Sequence, residues 1–244
     1  MGIHTDSDFR IRSGIFYTLL QSVGEGHIYL KQETLLYRAG ELLGVQIEHV
    51  EKYLMDLAME KKIVLKNEAD GVRVYASHYY YMELNTARML HDLNVHEEIA
   101  DVVLLHRLHE IEKNTGMVLD EMQKKAVMEA ARHGIMVLTG GPGTGKTTTV
   151  NGIIEVMENR GMKVSLAAPT GRAAKRMTEL TGREAKTVHR LLEVGTTDDK
   201  KEHVFVKNER NPIDADAVII DEMSMVDACL LYTSPSPRDL STSR

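Results

Sequence analysis

Eight consecutive residues, Gly140-Gly141-Pro142-Gly143-Thr144-Gly145-Lys146-Thr147, fit the pattern G-x-x-x-x-G-K-[ST] of a phosphate-binding loop. Each residue type has a chemical task there. The glycines let the backbone turn so that several N–H groups point into one concave nest for a phosphate chain. Lys146 brings a mobile positive charge to the terminal phosphates, and the Thr147 hydroxyl suits a hard cation such as Mg²⁺. Thr148 follows in what reads as the first turn of a helix, whose dipole adds a positive end. A second set lies about 75 residues on. Val218-Ile219-Ile220-Asp221-Glu222 is an apolar run ending in two acids. Asp221 can hold Mg²⁺, and Glu222 can polarise an attacking water. Together these residues describe a site that binds and hydrolyses a nucleoside triphosphate.

Such a site needs a strand before the loop, a helix after it, and a second strand to deliver the acids. The apolar run Ile135–Thr139 reads as the first strand. Thr148–Arg160 reads as the helix, with Val150, Ile153, Ile154 and Met157 on one face. Helix 121–132, strand 164–168, helices 172–180 and 188–192, a short strand at 204–206 and strand 217–220 complete the pattern. Strands alternating with helices predict a mostly parallel sheet covered on both faces. Gln123, on the helix before the loop, has two readings. With Asp120 it forms a capping-box pattern, and its amide could also read an adenine edge. The residue chemistry alone leaves these even.

The N-terminal part differs. Helix 11–21, strand 27–30, helices 32–43 and 47–59, and strands 63–66 and 72–75 follow in the order of a winged-helix module. In such modules the second of the paired helices often reads duplex DNA. Here that helix carries Glu48, Glu51, Asp56 and Glu60 against Lys52, which points to packing or a protein partner instead. Tyr79-Tyr80-Tyr81 opens a stretch of one or two further helices to Glu112. Tyrosines can stack on bases, but three in a row cannot share one helix face, so at least one belongs to a core.

Composition bounds the rest. The 244 residues allow one or two domains with a real core. No apolar run is long enough for a membrane span, and no basic-then-apolar leader opens the chain. One cysteine, Cys229, cannot form an internal disulfide, which fits a reducing cytoplasm. Net charge is −6, yet residues 160–190 carry eight basic residues (Arg160, Lys163, Arg172, Lys175, Arg176, Arg183, Lys186 and Arg190) against Glu179 and Glu184. That local excess is a candidate phosphate-backbone surface. The tail 232–244 is rich in Ser, Thr and Pro, has no periodicity, and resembles translated sequencing-adaptor sequence; it is expected to be non-native.

Five blocks taken together resemble the early motifs of RecD-type superfamily 1 helicases. They are Leu119–Gln123, Thr139–Thr148, Ala168–Ala174, Lys186–Leu192 and Asp221–Val226. The form Pro-Thr-Gly-Arg-Ala-Ala with Asp-Glu-x-Ser-Met is far more specific than the phosphate loop. Gly26–Leu30 and Glu41–Val45 are similar to the region before the motor in stand-alone members. The resemblance implies a RecA-like P-loop domain over 119–231, an N-terminal winged-helix-like domain over 1–78, and a helical connector over 79–118. It implies ATP and Mg²⁺ as cofactors, single-stranded DNA as partner, and 5′-to-3′ movement in a cytoplasmic protein of DNA repair or recombination. Gln123 would contact adenine. Gly141 to Thr148 would hold the nucleotide, with Lys146, Asp221 and Glu222 catalytic and Thr147 and Asp221 at the metal. Thr170, Arg172, Thr187 and His189 would lie along DNA. The second RecA-like domain of the family is missing, so the chain reads as an internal fragment. A RecD subunit of a multi-subunit nuclease, and a non-catalytic nucleotide- or DNA-binding module, are the alternatives. Single-strand-binding or recombination proteins are left open as further partners.

Overall fold

The computed structural model describes residues 7–141, 143–196, 203–208 and 210–226. Pro142, Cys229 and the 232–244 tail lie outside them. The chain divides into two compact units, Met1–Asn85 and Thr86–Arg244.

The first unit holds α1 (Asp8–Gly24), β1 (Tyr29–Lys31), α2 (Gln32–Leu43), α3 (Ile47–Met59), β2 (Ile63–Glu68) and β3 (Gly71–Ala76). Ser7 caps α1 by accepting the Arg10 N–H. Gly44, in the left-handed region at φ +66°, ends α2 as its position in the sequence suggests. The strands form one antiparallel sheet in the order β1-β3-β2. Apolar residues three and four apart on each helix meet in a single core of Ile11, Ile15, Leu19, Leu35, Leu36, Val50, Leu54, Leu57, Ile63 and Val74, among others. Gly14 lets α2 come close, since a Cβ there would sit 2.6 Å from the Leu43 side chain.

α4 (Ser77–Leu93) runs through the division between the units. The three tyrosines on it separate as their spacing requires. Tyr79 packs against the first unit's core, Tyr80 meets Tyr75 edge-on at 5.4 Å, and Tyr81 is exposed.

The second unit continues with α5 (Asp101–Thr115), α6 (Glu121–Arg132), α7 (Lys146–Asn159), β4 (Val164–Ala168), α8 (Gly171–Thr181), β5 (Ala185–Thr187), α9 (Val188–Leu191), β6 (Val194–Thr196), β7 (His203–Phe205) and β8 (Ala217–Ile220). β5, β4 and β8 form a parallel sheet in that order. Alternation along β4 sends residues to both faces. Leu166 packs with Ile154 and Met177 on one side, and Ala167 with Val188, Leu192 and Ile213 on the other. α5, α6 and α7 share a further cluster built on Leu104, Leu108, Ile111, Val127, Ile153 and Val156.

The expected strand at Ile135–Thr139 is a correction. These residues join no ladder, and Val137 is 81% exposed. An apolar run becomes a strand only where an edge accepts its N–H and C=O groups and neighbours cover its faces. Of these five residues only Met136 packs against one of the buried clusters. The strand expected at 204–206 begins one residue earlier, and two strands, β5 and β6, add to those the pattern predicts. Both are three residues long, too short to show a period.

Candidate nucleotide site

The loop that follows Ile135–Thr139 is held by its own groups. Thr144 Oγ1 donates to the Gly141 carbonyl at 2.9 Å. Lys146 Nζ reaches across to the Gly140 carbonyl and lies 3.4 Å from that of Gly141. Gly143 and Gly145 take φ +75° and +74°, the left-handed region where a Cβ would strain the chain. α7 starts directly at Lys146 with no side-chain cap. Its first N–H groups therefore keep their bonding capacity for an anion, and the helix dipole favours one there. Thr147 and Thr148 are half-buried in that first turn, and Thr149 Oγ1 returns to the Gly145 carbonyl at 3.2 Å.

Gln123 fills its capping role. Its N–H donates to Asp120 Oδ1 at 2.8 Å, and its Oε1 accepts the Asp120 N–H at 2.9 Å. The same side chain also touches the loop, with Nε2 donating to the Gly145 carbonyl at 3.4 Å. Capping thus brings the amide to the edge of the phosphate loop. One carbonyl lone pair and one N–H remain for another partner.

The acids lie at the end of β8. Asp221 N–H donates to the Ala167 carbonyl at 3.0 Å, carrying the ladder one residue past the strand. Asp221 Oδ1 accepts the Glu222 N–H at 2.8 Å. Glu222 takes φ +52°, ψ 40°, an uncommon conformation for a residue with a side chain. Such backbone tension collects where side-chain direction matters. Both carboxyl groups are exposed, and among the described residues no hydrogen bond or ion pair joins them to Lys146 or Thr147. Nothing in the residue pattern announces the left-handed Glu222.

Parallel register decides what shares this end of the sheet. Ala167 lies opposite Ile220, and Ala168 opposite Thr187. Asp221 and Thr170 therefore follow β8 and β4, and Thr187 ends β5, so all three lie at the carboxyl ends of neighbouring strands, where open α/β sheets bind ligands. Thr170 and Thr187 both act as helix caps, accepting the Ala173 and Arg190 N–H groups at 3.2 Å each. Arg172 is exposed, and His189, also exposed, packs its ring against Phe205 at 6.2 Å between centroids.

The basic segment splits into two groups. Arg160 donates to Glu97 and to the Ala131 carbonyl, and Lys163 pairs with Asp214, holding that carboxyl below its usual range. Arg183 binds Glu158 and Glu155; the Glu158 hydrogen bonds are the main cause of its raised pKa, against the cost of burial. These three cations tie the fold together. Arg172, Arg176, Lys186 and Arg190 have no side-chain partner among the described residues, and Lys175 reaches Glu179 only at 3.9 Å. The free cations sit on α8, β5 and α9. The expectation of a single eight-residue surface is corrected to this smaller set.

Residues 123–234 match the family model described as an AAA domain. The chain is 42% identical over 123 residues to the ATP-dependent RecD2 DNA helicase of Deinococcus radiodurans, covering 50% of this chain and 16% of that protein. It is 36% identical over 134 residues to the RecBCD enzyme subunit RecD of Mycolicibacterium smegmatis, covering 46% and 24% respectively. With the ATP-dependent DNA helicase dda of Enterobacteria phage T4 it shares 36% over 105 residues, 42% of this chain and 24% of that one. The chain thus spans between about a sixth and a quarter of the length of these relatives. With its phosphate loop, its parallel sheet and these likenesses, the α/β P-loop part of the chain is similar to the RecD-type superfamily 1 helicases.

Proposed function

We propose that this chain carries the first motor domain of an ATP-dependent helicase that moves 5′ to 3′ on single-stranded DNA. One observation carries the reading. A phosphate loop, an acidic pair and a set of cations without a partner among the described residues occur in one parallel-sheet unit, with the acids and the Thr170 and Thr187 caps at the same end of the sheet. A plain nucleotide-binding module has no need of the cations.

Within that reading Lys146 and the backbone N–H groups of the loop Gly141–Gly145 hold the phosphates, Pro142 shaping the loop without an N–H of its own, with Thr147 and Thr148 at the helix start. Gln123 meets adenine with the bonding capacity its cap leaves free. Asp221 and Thr147 offer the hard oxygen donors that Mg²⁺ takes. Mg²⁺ bound with a nucleotide needs only one or two protein ligands, because water and substrate phosphates complete its shell. When bound, Mg²⁺ neutralises charge on the phosphate oxygens. Glu222 accepts the proton of the attacking water. Arg172, with Thr170, Thr187 and His189, follows the DNA backbone, joined by Arg176, Lys186 and Arg190.

The N-terminal unit supports a winged-helix-like reading through its element order and its β1-β3-β2 sheet. A helical connector over 79–118 would then lead to the motor at 119. The stand-alone branch is favoured over a nuclease subunit by the higher identity to the RecD2 helicase, 42% against 36%. Among the described residues no helix is long and apolar enough to cross a membrane. A cytoplasmic setting is proposed from the DNA substrate. ATP turnover of the intact protein, measured with and without single-stranded DNA, tests the proposal. Marked stimulation is expected; equal turnover would overturn the coupling.

A further inference from the structure

α3 occupies the place in its unit where a winged-helix module carries its DNA-reading helix, yet its outward face is wrong for DNA. Val50, Leu54 and Leu57 turn into the core. Glu48, Lys52, Met55 and Met59, spaced four, three and four apart, form the opposite stripe. Met55 is 62% exposed and Met59 76%. Glu51 flanks the stripe on one side and Asp56 with Glu60 on the other. The start of α1 adjoins this face. Tyr53 donates to Asp8 at 2.6 Å, and Arg12 binds Asp56 at 3.0 Å and also Glu60. Phe9, next to Asp8, is 74% exposed.

We propose that this face docks a protein segment that is both apolar and basic, such as an amphipathic helix with Lys or Arg beside its apolar stripe. Met55 and Met59 lie one turn apart on the outward stripe of α3, so these two exposed apolar side chains are neighbours. Flexible methionines suit a surface that adapts to another helix. Charge selects the occupant. The patch carries Asp8, Glu48, Glu51, Asp56 and Glu60 against Arg12, Lys52 and Lys62, which pairs with Glu60 at 2.9 Å, and His49 is half-buried beside it. A DNA backbone is repelled by that balance, and a basic partner is attracted. Arg12 already neutralises part of the acid, so Glu48 and Glu51 are the carboxylates most open to a partner. Gln32 Nε2, a neutral donor, binds Glu51 at 3.2 Å.

The test uses the whole chain and a fluorescein-labelled 18-residue peptide of Leu and Lys arranged as an amphipathic helix. A scrambled peptide of equal charge without an apolar face serves as control. The amphipathic peptide is expected to bind and the scrambled one to bind far more weakly. Met55→Ser with Met59→Ser, both at exposed positions, should weaken binding by about tenfold or more, as loss of central apolar anchors does. Glu48→Lys with Glu51→Gln should weaken it and flatten its salt dependence, while Glu33→Gln on α2 should leave it unchanged. Circular dichroism checks that each variant folds. Absence of binding, equal binding of both peptides, or binding insensitive to the methionine pair overturns the proposal. So does duplex DNA that binds the chain but no longer binds the methionine double variant.

Discussion

The two units use their positive charges differently. In the N-terminal unit most cations are set on carboxylates of the same unit: Arg12 on Asp56 and Glu60, Lys31 and Arg73 on Asp70, Arg38 on Glu25, Lys62 on Glu60, Lys66 on Glu68, with Lys52 and Lys61 outside these pairs among the described residues. In the P-loop unit one set, Arg160, Lys163 and Arg183, is bound in the same way, and a second set, Arg172, Arg176, Lys186 and Arg190 on α8, β5 and α9, has no carboxylate partner among the described residues. Exposed pairs contribute little to stability, so the paired cations mainly fix surface geometry. Leaving like charges unpaired on neighbouring elements costs repulsion. That cost is accounted for if an anion shares the surface in the working state. The cores differ in parallel. One contiguous cluster fills the first unit, whereas four smaller ones divide the second and Ile135–Thr139 remains unladdered. The first unit is a settled scaffold, and the second keeps its options at the end of the sheet where chemistry is expected.

The strongest way to break this contrast is to alter the acids there. Glu222→Gln keeps size and hydrogen bonding but removes the base. ATP binding should persist, and hydrolysis by the intact protein should fall by roughly 10²–10⁴, the contribution of a positioned general base. Asp221→Asn should instead weaken Mg²⁺-dependent nucleotide binding. Affinity and turnover for both variants decide it. Near-normal turnover in Glu222→Gln would remove the role given to that residue.

The free cations give the next largest effect. Arg172, Arg176, Lys186 and Arg190 changed to Gln should reduce affinity for single-stranded DNA. The slope of log affinity against log salt should fall by about 0.7 for each phosphate that is no longer neutralised. Arg183→Gln should leave that slope alone. If the two substitutions act alike on DNA, the division between paired and free cations is wrong.

That division marks the limit of what the residue pattern reveals. α2, α3, α6, β4 and β8 are readable because periodicity, a cap or a glycine stop agree over many residues. The loop and acids are readable because their chemistry needs those residue types at that spacing. The partners of the basic segment are not. Arg183 answers to Glu155 and Glu158, 28 and 25 residues back, Arg160 to Glu97, 63 residues back, and Lys163 to Asp214, 51 residues on. A local charge sum cannot see them. Ile135–Thr139 fails for a related reason. A short apolar run states what it could bury, but only the fold states which edge will take its hydrogen bonds. Gln123 lies between these cases, since the sequence poses cap against ligand and the fold satisfies the cap while placing the amide at the loop.

Arg183→Gln is expected to act on stability. Its guanidinium spans two carboxylates of α7 and also donates to the Thr181 carbonyl, with 29% of the side chain exposed. Solvent screens such a network, so a loss of roughly 1 kcal/mol is expected. Urea unfolding with and without added salt at about 1 M measures it. The difference between wild type and variant should shrink in salt. A loss that ignores salt would mean that packing of the stem, and not charge, is what Arg183 contributes.

The smallest effect sharpens the other side of the comparison. Glu60 ties α3 to α1 through Arg12, and hydrogen bonds from Lys62 and Arg12 lower its pKa below the ordinary 4.5. A carboxyl that is more acidic folded than unfolded adds stability that is complete above its unfolded value. That stability drains away as pH falls through the lower folded value. Neutral pH therefore favours the tie and acid loosens it, with the change confined to pH below about 4.5. Unfolding of the wild type should show a slightly steeper loss of stability there than Glu60→Gln, and the two should differ by a constant above it. The group is open to water, so the difference should be small and should fade in salt. If the two curves run parallel through the acid range, the Arg12–Glu60 contact is a surface placement without energetic consequence. The settled character of the N-terminal unit would then rest on its core alone.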